Sequence, residues 1–222
     1  MTLHLVRCDA LEPQPWKNGG GLTRELLAWP AREDWALRLS VADIRADGPF
    51  SAFPGVDRWF AVLEGAGVLL ALPGGARRTE TGDAVLAFPG EAAPLCDLLD
   101  GPTRDLNLMI RRDTGHGGMR RADLGEDFAS RSRLRALFAA DALTLQIDGA
   151  DAARVPAMAL IWADGGATSE TSGLRPAVFA QGHESGAFGS AAARRAHGVW
   201  RIASDAERPP RAWWIHFEPR PA

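Results

Sequence analysis

Chain breakers set the terms for this sequence. Its 222 residues include 24 glycines and 15 prolines, and the apolar segments between them are short. A helix of ordinary length needs ten or more uninterrupted residues with apolar positions every three or four. A strand needs only about five, apolar at every second position. The segments left between breakers fit the second pattern. Trp35 to Ile44, WALRLSVADI, sets Trp35, Leu37, Leu39 and Val41 on one face and Arg38, Ser40, Ala42 and Ile44 on the other. Asp105 to Arg111, DLNLMIR, alternates likewise, with Leu106, Leu108 and Ile110 against Asn107, Met109 and Arg111. Further strands are expected at Thr2–Val6, Thr23–Trp29, Arg58–Glu64, Val68–Leu72, Ala84–Phe88, Leu143–Ile147, Met158–Trp162, Ala177–Gln181, Val199–Ala203 and Trp213–Phe217. Turns fall at 47–55, at Gly65-Ala-Gly67, at 73–75 and at Pro89-Gly90. Residues 112–135 read as a loop or crossover, 163–174 as a loop, and 185–196 as either a loop or a short helix. The expectation is an all-β sandwich or barrel, and 46% hydrophobic content is enough to fill one large domain or two small ones.

Composition removes several function classes. A net charge of −3 gives no basic face for nucleic acid. The longest apolar runs, such as 156–162, fall well short of the roughly 18 residues that span a bilayer. The N-terminus MTLHLVRCDA has no secretory pattern. Cys8 and Cys96 are far apart and form no CxxC, so the expected setting is the cytoplasm with reduced thiols.

The stretch P15-W16-K17-N18-G19-G20-G21-L22-T23-R24-E25 invites a phosphate-loop reading, but it lacks both GxxxxGK[ST] and GxGxxG. A strand-like run follows it instead of a helix. A glycine turn between strands is the reading its spacing favours. Lys17, Asn18, Thr23 and Arg24 are then either loop residues in solvent or the mouth of an anion pocket.

Two further stretches have the rhythm of a small double-layered barrel. V62-L63-E64-G65 resembles the end of the first cupin motif, and G82-D83-A-V-L-A-F-P89-G90 resembles the second. A metal-binding cupin sets two histidines and a carboxylate in the first motif and a histidine after the second. Here the corresponding positions fall near Ser51 and Phe53 and on Arg58, and Glu-Ala-Ala-Pro-Leu follows Pro89-Gly90. The five histidines, His4, His116, His183, His197 and His216, are scattered, so neither a metal nor another cofactor is expected. A fixed cation at Arg58 suits an anionic ligand, because a guanidinium holds a carboxylate through parallel hydrogen bonds.

Taken in order, W16-K17-N18-G19-G20-G21-x-T23-R24-E25, R38-x-S40-x-A42-x-I44, G48-P49-F50-S51-x-F53-P54-G55-x-D57-R58, L63-E64-G65 and D105-L106-N107-L108-M109 resemble the HutD family, which includes the Ves proteins. The resemblance implies a bicupin of two RmlC-like jelly-roll (double-stranded β-helix) barrels, assigned here to residues 1–111 and 112–222. It also implies a metal-free binding protein linked to histidine catabolism, whose ligand is a small carboxylate such as N-formylglutamate. Lys17, Arg24, Arg38 and Arg58 would supply positive charge. Thr23 would sit beside them, and Asn18, Ser51 and Asn107 would supply neutral hydrogen bonds. Glu64 shares the parity of Arg58 and is its expected ion-pair partner. The competing reading is a metal-independent hydrolase or isomerase on the same ligand class, with Glu25, Asp57 or Glu64 as base. A third is an interaction protein with an exposed tryptophan-rich surface near the C-terminus. By analogy with cupins that pair through sheet edges, a homodimer is expected.

Overall fold

The protein is described here from a computed structural model covering residues 3–149, 152–165 and 198–221. The expectations for Ala177–Gln181 and 185–196, most of the loop at 163–174, and His183 and His197 lie outside the described residues. The strands in chain order begin with β1 (Leu3–Arg7), β2 (Gln14–Pro15), β3 (Gly21–Trp29), β4 (Leu37–Ile44), β5 (Gly48–Pro49) and β6 (Val56–Glu64). Then come β7 (Val68–Leu72), β8 (Gly75–Thr79), β9 (Leu86–Pro89), β10 (Leu95–Leu98) and β11 (Thr103–Arg111). The chain continues with β12 (Gly115–Arg121), β13 (Asp127–Phe128), β14 (Leu134–Ala139), β15 (Leu143–Ile147), β16 (Ala153–Val155), β17 (Ala159–Asp164), β18 (Trp200–Ala203) and β19 (Ala212–Pro219). Among the described residues the only helical turns are two short 3₁₀ segments, Cys8–Ala10 and Gly90–Ala92. None of the described helices is long and apolar enough to cross a membrane.

The chain divides into two compact units, one from Glu12 to His116 and the other from Gly117 to Pro221 together with the first eleven residues. In the N-terminal unit a six-stranded sheet, β2-β3-β4-β11-β6-β9, faces a four-stranded sheet, β5-β10-β7-β8. Ile44, Phe60, Val62 and Phe88 from the first sheet and Val68, Leu70 and Cys96 from the second, with Phe50, form the core between them. The C-terminal unit repeats the plan with sheets β1-β17-β14-β19-β12 and β13-β18-β15-β16. Its core joins Leu137, Ile161 and Trp214 to Leu145, Val155 and Trp200.

The alternation in the sequence is realised in register. β11 pairs antiparallel with β4 on one side and β6 on the other. Leu37, Leu39, Val41, Leu106 and Leu108 have no exposure at all. Burying each such side chain stabilises the fold by roughly 1.5–3 kcal/mol. The opposite face of the same strands is also removed from solvent, although it carries Ser40, Asp105 and Asn107.

Three expectations change. β1 pairs with β17 from Leu3↔Ala163 to Arg7↔Ala159, so the N-terminal strand belongs with the C-terminal unit and not with a barrel spanning 1–111. Residues 112–135 are not simply a connection. They contain β12 and β13, whose glycines and arginines hide the period-2 pattern in GHGGMRR. Trp213 and Trp214 lie on β19, between β14 and β12 in the sheet, and are buried, so they form no exposed tryptophan surface.

The glycine triplet is the turn joining β2 to β3. The Gly19 N–H donates to the Trp16 carbonyl, and the Trp16 N–H donates to the Gly21 carbonyl. The Gly20 N–H donates to Asn18 Oδ1 at 3.1 Å. The N–H groups of Gly19 and Gly20 that a phosphate would need are therefore engaged. Gly19 has a φ of +74°, favourable only to glycine. At Gly21 an added Cβ would lie 2.6 Å from the Asp43 carbonyl oxygen and 3.0 Å from the Trp16 ring. We expect Gly21→Ala to cost about 1–3 kcal/mol in urea unfolding, as overpacking does. At Gly20 the same Cβ would meet only the Asn18 side chain at 3.4 Å, so Gly20→Ala should stay near wild type. Equal stabilities for the two variants would contradict this account of the turn.

Candidate functional site

A cavity of about 670 Å³ opens in the N-terminal unit on the inner face of β3, β4, β6 and β11. The register builds its wall in rows. Asp105 stands between Ala42 and Val62, Asn107 between Ser40 and Phe60, and Met109 between Arg38 and Arg58. Neighbouring strands are about 4.8 Å apart, so the Arg38 and Arg58 backbones are separated by roughly 10 Å. Residues 14–18 and 49–53 close the sides, bringing Trp16, Lys17, Asn18, Phe50, Ser51 and Phe53 to the lining.

Arg58 is only 5% exposed. Its guanidinium carbon lies 5.0 Å from the Phe50 ring centre, 5.2 Å from Phe88 and 5.8 Å from Phe53. These rings attract the cation through their faces. Nε and Nη1 have no hydrogen-bond partner. Burial pulls its pKa down to about 10, against the opposing field of Asp105 and with a small push from Arg38. It therefore stays charged at neutral pH.

Asp105 is 1% exposed. Burial pushes its carboxyl up to about 8; Arg58 opposes the rise, Asp43 adds to it, and a hydrogen bond from Asn107 works against it. Oδ1 of Asp105 and Oδ1 of Asn107 have no partner. The wall of the cavity thus holds a buried cation and two buried acceptor oxygens that lack hydrogen-bond partners.

The other charges are largely committed. Arg38 donates through Nε to Glu25 at 2.6 Å, and Arg32 adds an ion pair to Glu25 at 3.3 Å. Arg24 and Arg104 both hold Asp43, at 2.9 Å and 2.6 Å. Desolvation opposes ionisation of Asp43, but the hydrogen bonds from Arg104 and Arg24 outweigh it and keep its pKa below the ordinary aspartate value.

Seven residues expected from sequence line the cavity: Lys17, Asn18, Thr23, Arg38, Ser51, Arg58 and Asn107. Thr23 accepts a hydrogen bond from the Trp16 indole at 2.7 Å, which fixes that ring at the cavity edge. Arg24 is not among the lining residues, because it alternates with Thr23 along β3 and turns to Asp43. Glu64 does not pair with Arg58 but with Arg104 at 3.0 Å. Parity alone misled here: six residues of strand separate the two positions by about 20 Å. Reading from sequence missed Asp105 and Met109, which share the parity of Asn107, and Trp16 and Phe53. An acid alternating with leucines in DLNLMIR was the available signal for Asp105.

Among the described residues no group of three His, Cys, Asp or Glu side chains converges as a metal site would require. His4 stacks on Trp162 with ring centres 4.2 Å apart. Cys8 and Cys96 are both buried.

Fold and site together define a cupin-like all-β protein with a cation-bearing cavity. The full chain aligns with Bacillus subtilis oxalate decarboxylase at a TM-score of 0.57 and 9% identity, covering 79% of that chain; at this identity the likeness concerns the fold alone. The HutD family profile matches residues 9–179, and the chain belongs to the HutD family. Structural similarity agrees. HutD from Pseudomonas fluorescens SBW25, in a formate condition, and a conserved protein of unknown function from Pseudomonas aeruginosa PAO1 each superpose with a TM-score of 0.74. They are 25% and 26% identical, covering 99% of this chain and all of theirs. A 21.2 kDa protein from the hutC 3' region of Pseudomonas putida is 39% identical over 48% of this chain and 57% of its own length. Protein Ves of Cronobacter sakazakii is 38% identical over 49% of this chain and 60% of its own. These curated relatives are therefore matched over little more than half their length.

The Asp43 cluster gives a stability prediction. A carboxyl whose folded pKa is depressed contributes stability that is present above its unfolded value, about 3.9, and is lost as pH falls through the folded one. Asp43→Asn should lower stability at pH 7 by about 1–3 kcal/mol and reduce the acid-side slope of Tm below about pH 5. An unchanged slope would show that the two arginines do not hold the charge.

Proposed function

We propose that the protein binds a small carboxylate in the cavity around Arg58, and that the natural ligand is an acid of histidine catabolism such as N-formylglutamate. The observation that carries this reading is the buried Arg58 guanidinium in the cavity wall, whose Nε and Nη1 have no hydrogen-bond partner. A buried polar group left unpaired costs about 1–3 kcal/mol, and an anion supplying the acceptors removes that cost. The cavity volume of about 670 Å³ suits a metabolite, since small-molecule sites span roughly 300–1,000 Å³. Lys17 and Arg38 add positive charge, and Asn18, Ser51 and Asn107 add neutral hydrogen bonds. The pathway assignment rests on the family and on the hutC-region relative from Pseudomonas putida. The formate condition of the Pseudomonas fluorescens HutD structure involves the simplest carboxylate.

One observation favours a second reading, an enzyme acting on the same ligand without a metal. The bases expected from sequence are committed elsewhere: Glu25 to Arg38, Asp57 to Arg112 at 2.8 Å and Glu64 to Arg104. Asp105 is the carboxyl in the cavity lining, and its pKa is raised to the range that suits a general acid or base near neutral pH. Incubation with N-formylglutamate, followed by proton NMR, separates the two readings: unchanged ligand supports binding, and a new product supports catalysis.

Millimolar formate or N-formylglutamate should raise Tm, because a ligand that binds only the folded state stabilises it by mass action. Arg58→Ala should weaken binding roughly 10- to 150-fold, corresponding to about 1.5–3 kcal/mol for hydrogen bonds to a charged group. Arg24→Ala should leave affinity nearly unchanged. No thermal shift with any histidine-pathway acid would end the carboxylate reading.

A further inference from the structure

We propose that Asp105 sets the charge state the cavity accepts: an anionic ligand is bound with the Asp105 carboxyl protonated, so that a site holding ionised Asp105 takes up one proton with the ligand. The inference rests on the carboxylate-binding reading and says what that site demands of its ligand.

Arg58 brings one positive charge and Asp105 one carboxyl, both almost wholly removed from solvent. Arg38 also lines the cavity, but its charge is matched by Glu25 at 2.6 Å. Lys17 is exposed at the mouth, where water screens it. With Asp105 ionised, Arg58 is already neutralised. A carboxylate arriving there would make two negative charges around a single cation in a desolvated space. Two carboxylates sharing such a site do not both ionise, and one takes up a proton.

The hydrogen-bonding inventory fits the protonated form. Asp105 Oδ1 has no partner, and neither do Arg58 Nε and Nη1. The hydrogen bond between Asn107 and Asp105 leaves Asn107 Oδ1 without a partner. An ionised Asp105 offers an incoming carboxylate only acceptor oxygens. A protonated one offers an O–H donor, which forms a short, strong bond to an anionic oxygen. The ligand carboxylate would then accept from Arg58 on one side and from Asp105 on the other.

Of the charged groups facing Asp105, Asp43 pushes the same way and Arg58 opposes it. Asp43 on β4 is held ionised by Arg24 and Arg104, and its field disfavours a second carboxylate. Cys96 on β10 remains a neutral thiol, because burial raises it to about 12, with Asp105 contributing. Arg58 on β6 and the Arg38–Glu25 pair on β4 and β3 complete the set. Arg58 favours ionised Asp105 while the cavity holds no anion, and an anion bound to Arg58 weakens that preference. The binding event is a proton-coupled association: carboxylate, proton and ionised protein give the complex with neutral Asp105.

Isothermal titration of formate and of N-formylglutamate, in two buffers of different ionisation enthalpy, counts the protons taken up. At pH 9 uptake should approach one per ligand bound, and at pH 6.5 it should fall toward zero because the ligand-free site already holds the proton. Above about pH 8, Kd should rise roughly tenfold per pH unit. Asp105→Asn should bind without proton uptake and with the same Kd from pH 6.5 to pH 9. Binding by the wild type with no uptake at pH 9 and a flat Kd would overturn the inference and leave the carboxylate reading intact. Absence of binding at every pH would overturn both. If Asp105→Asn does not fold, the wild-type uptake measurement decides alone.

Discussion

The site depends on one constraint: β4 and β11 are buried on both faces. Leu37, Leu39, Val41, Leu106 and Leu108 take one face, as the apolar alternation requires. The polar residues between them are left pointing into a desolvated interior instead of into water. The same alternation that builds the sheet thus gives Asp105, Asn107 and Arg58 their chemistry. Taking a single charge out of water costs several kcal/mol even after the protein relaxes. Arg58 recovers part of this from three aromatic faces, and part from the field of Asp105.

The surrounding ion pairs act as a sorting device. Glu25 engages Arg38 and Arg32, and Asp43 engages Arg24 and Arg104. Each of these acids sits where alternation and register place it against an arginine of a neighbouring strand or loop. Arg58 has no such acid at hydrogen-bonding distance from Nε or Nη1. The unit therefore fixes Arg24, Arg32, Arg38 and Arg104 in place and leaves two nitrogens of one buried cation in the cavity wall without a partner. Preorganisation of this kind lowers the cost of binding, because the donors do not have to be reoriented when a ligand arrives.

Much of this was readable in the chain. WALRLSVADI and DLNLMIR define their faces without reference to any structure, and the register then follows from pairing two such strands. The turn-rich segment before Arg58 and the glycine triplet after Trp16 marked where the cavity would be closed. What sequence could not supply was distance. Parity put Glu64 and Arg58 on one face but not about 20 Å apart along it. The same limit hid β12, where glycine and arginine mask the period, and the transfer of β1 to the C-terminal unit, because a strand's partner is a long-range choice. Asp105 was missed for a different reason. Its identity as an acid suggests solvent, and only the burial of both sheet faces overrides that.

The C-terminal unit offers an internal comparison for Arg58. Arg135 on β14 also has no exposure, and it lies 5.2 Å from the Trp200 ring centre. Burial pulls its pKa down to about 10 as well. Its Nη1 donates to the carbonyl oxygens of Gly198 at 2.7 Å and Ser130 at 3.1 Å, while its Nε and Nη2, like Nε and Nη1 of Arg58, have no partner. Those carbonyls tie the side chain to the backbone around it, as a structural arginine requires. Arg58 has the same burial and the same aromatic company, but it faces a cavity and a carboxyl instead of backbone carbonyls. The penalty of desolvating a guanidinium is similar in the two units. At Arg135 two backbone carbonyls offset part of it, and what separates Arg58 is the cavity beside it, where a ligand can do the same.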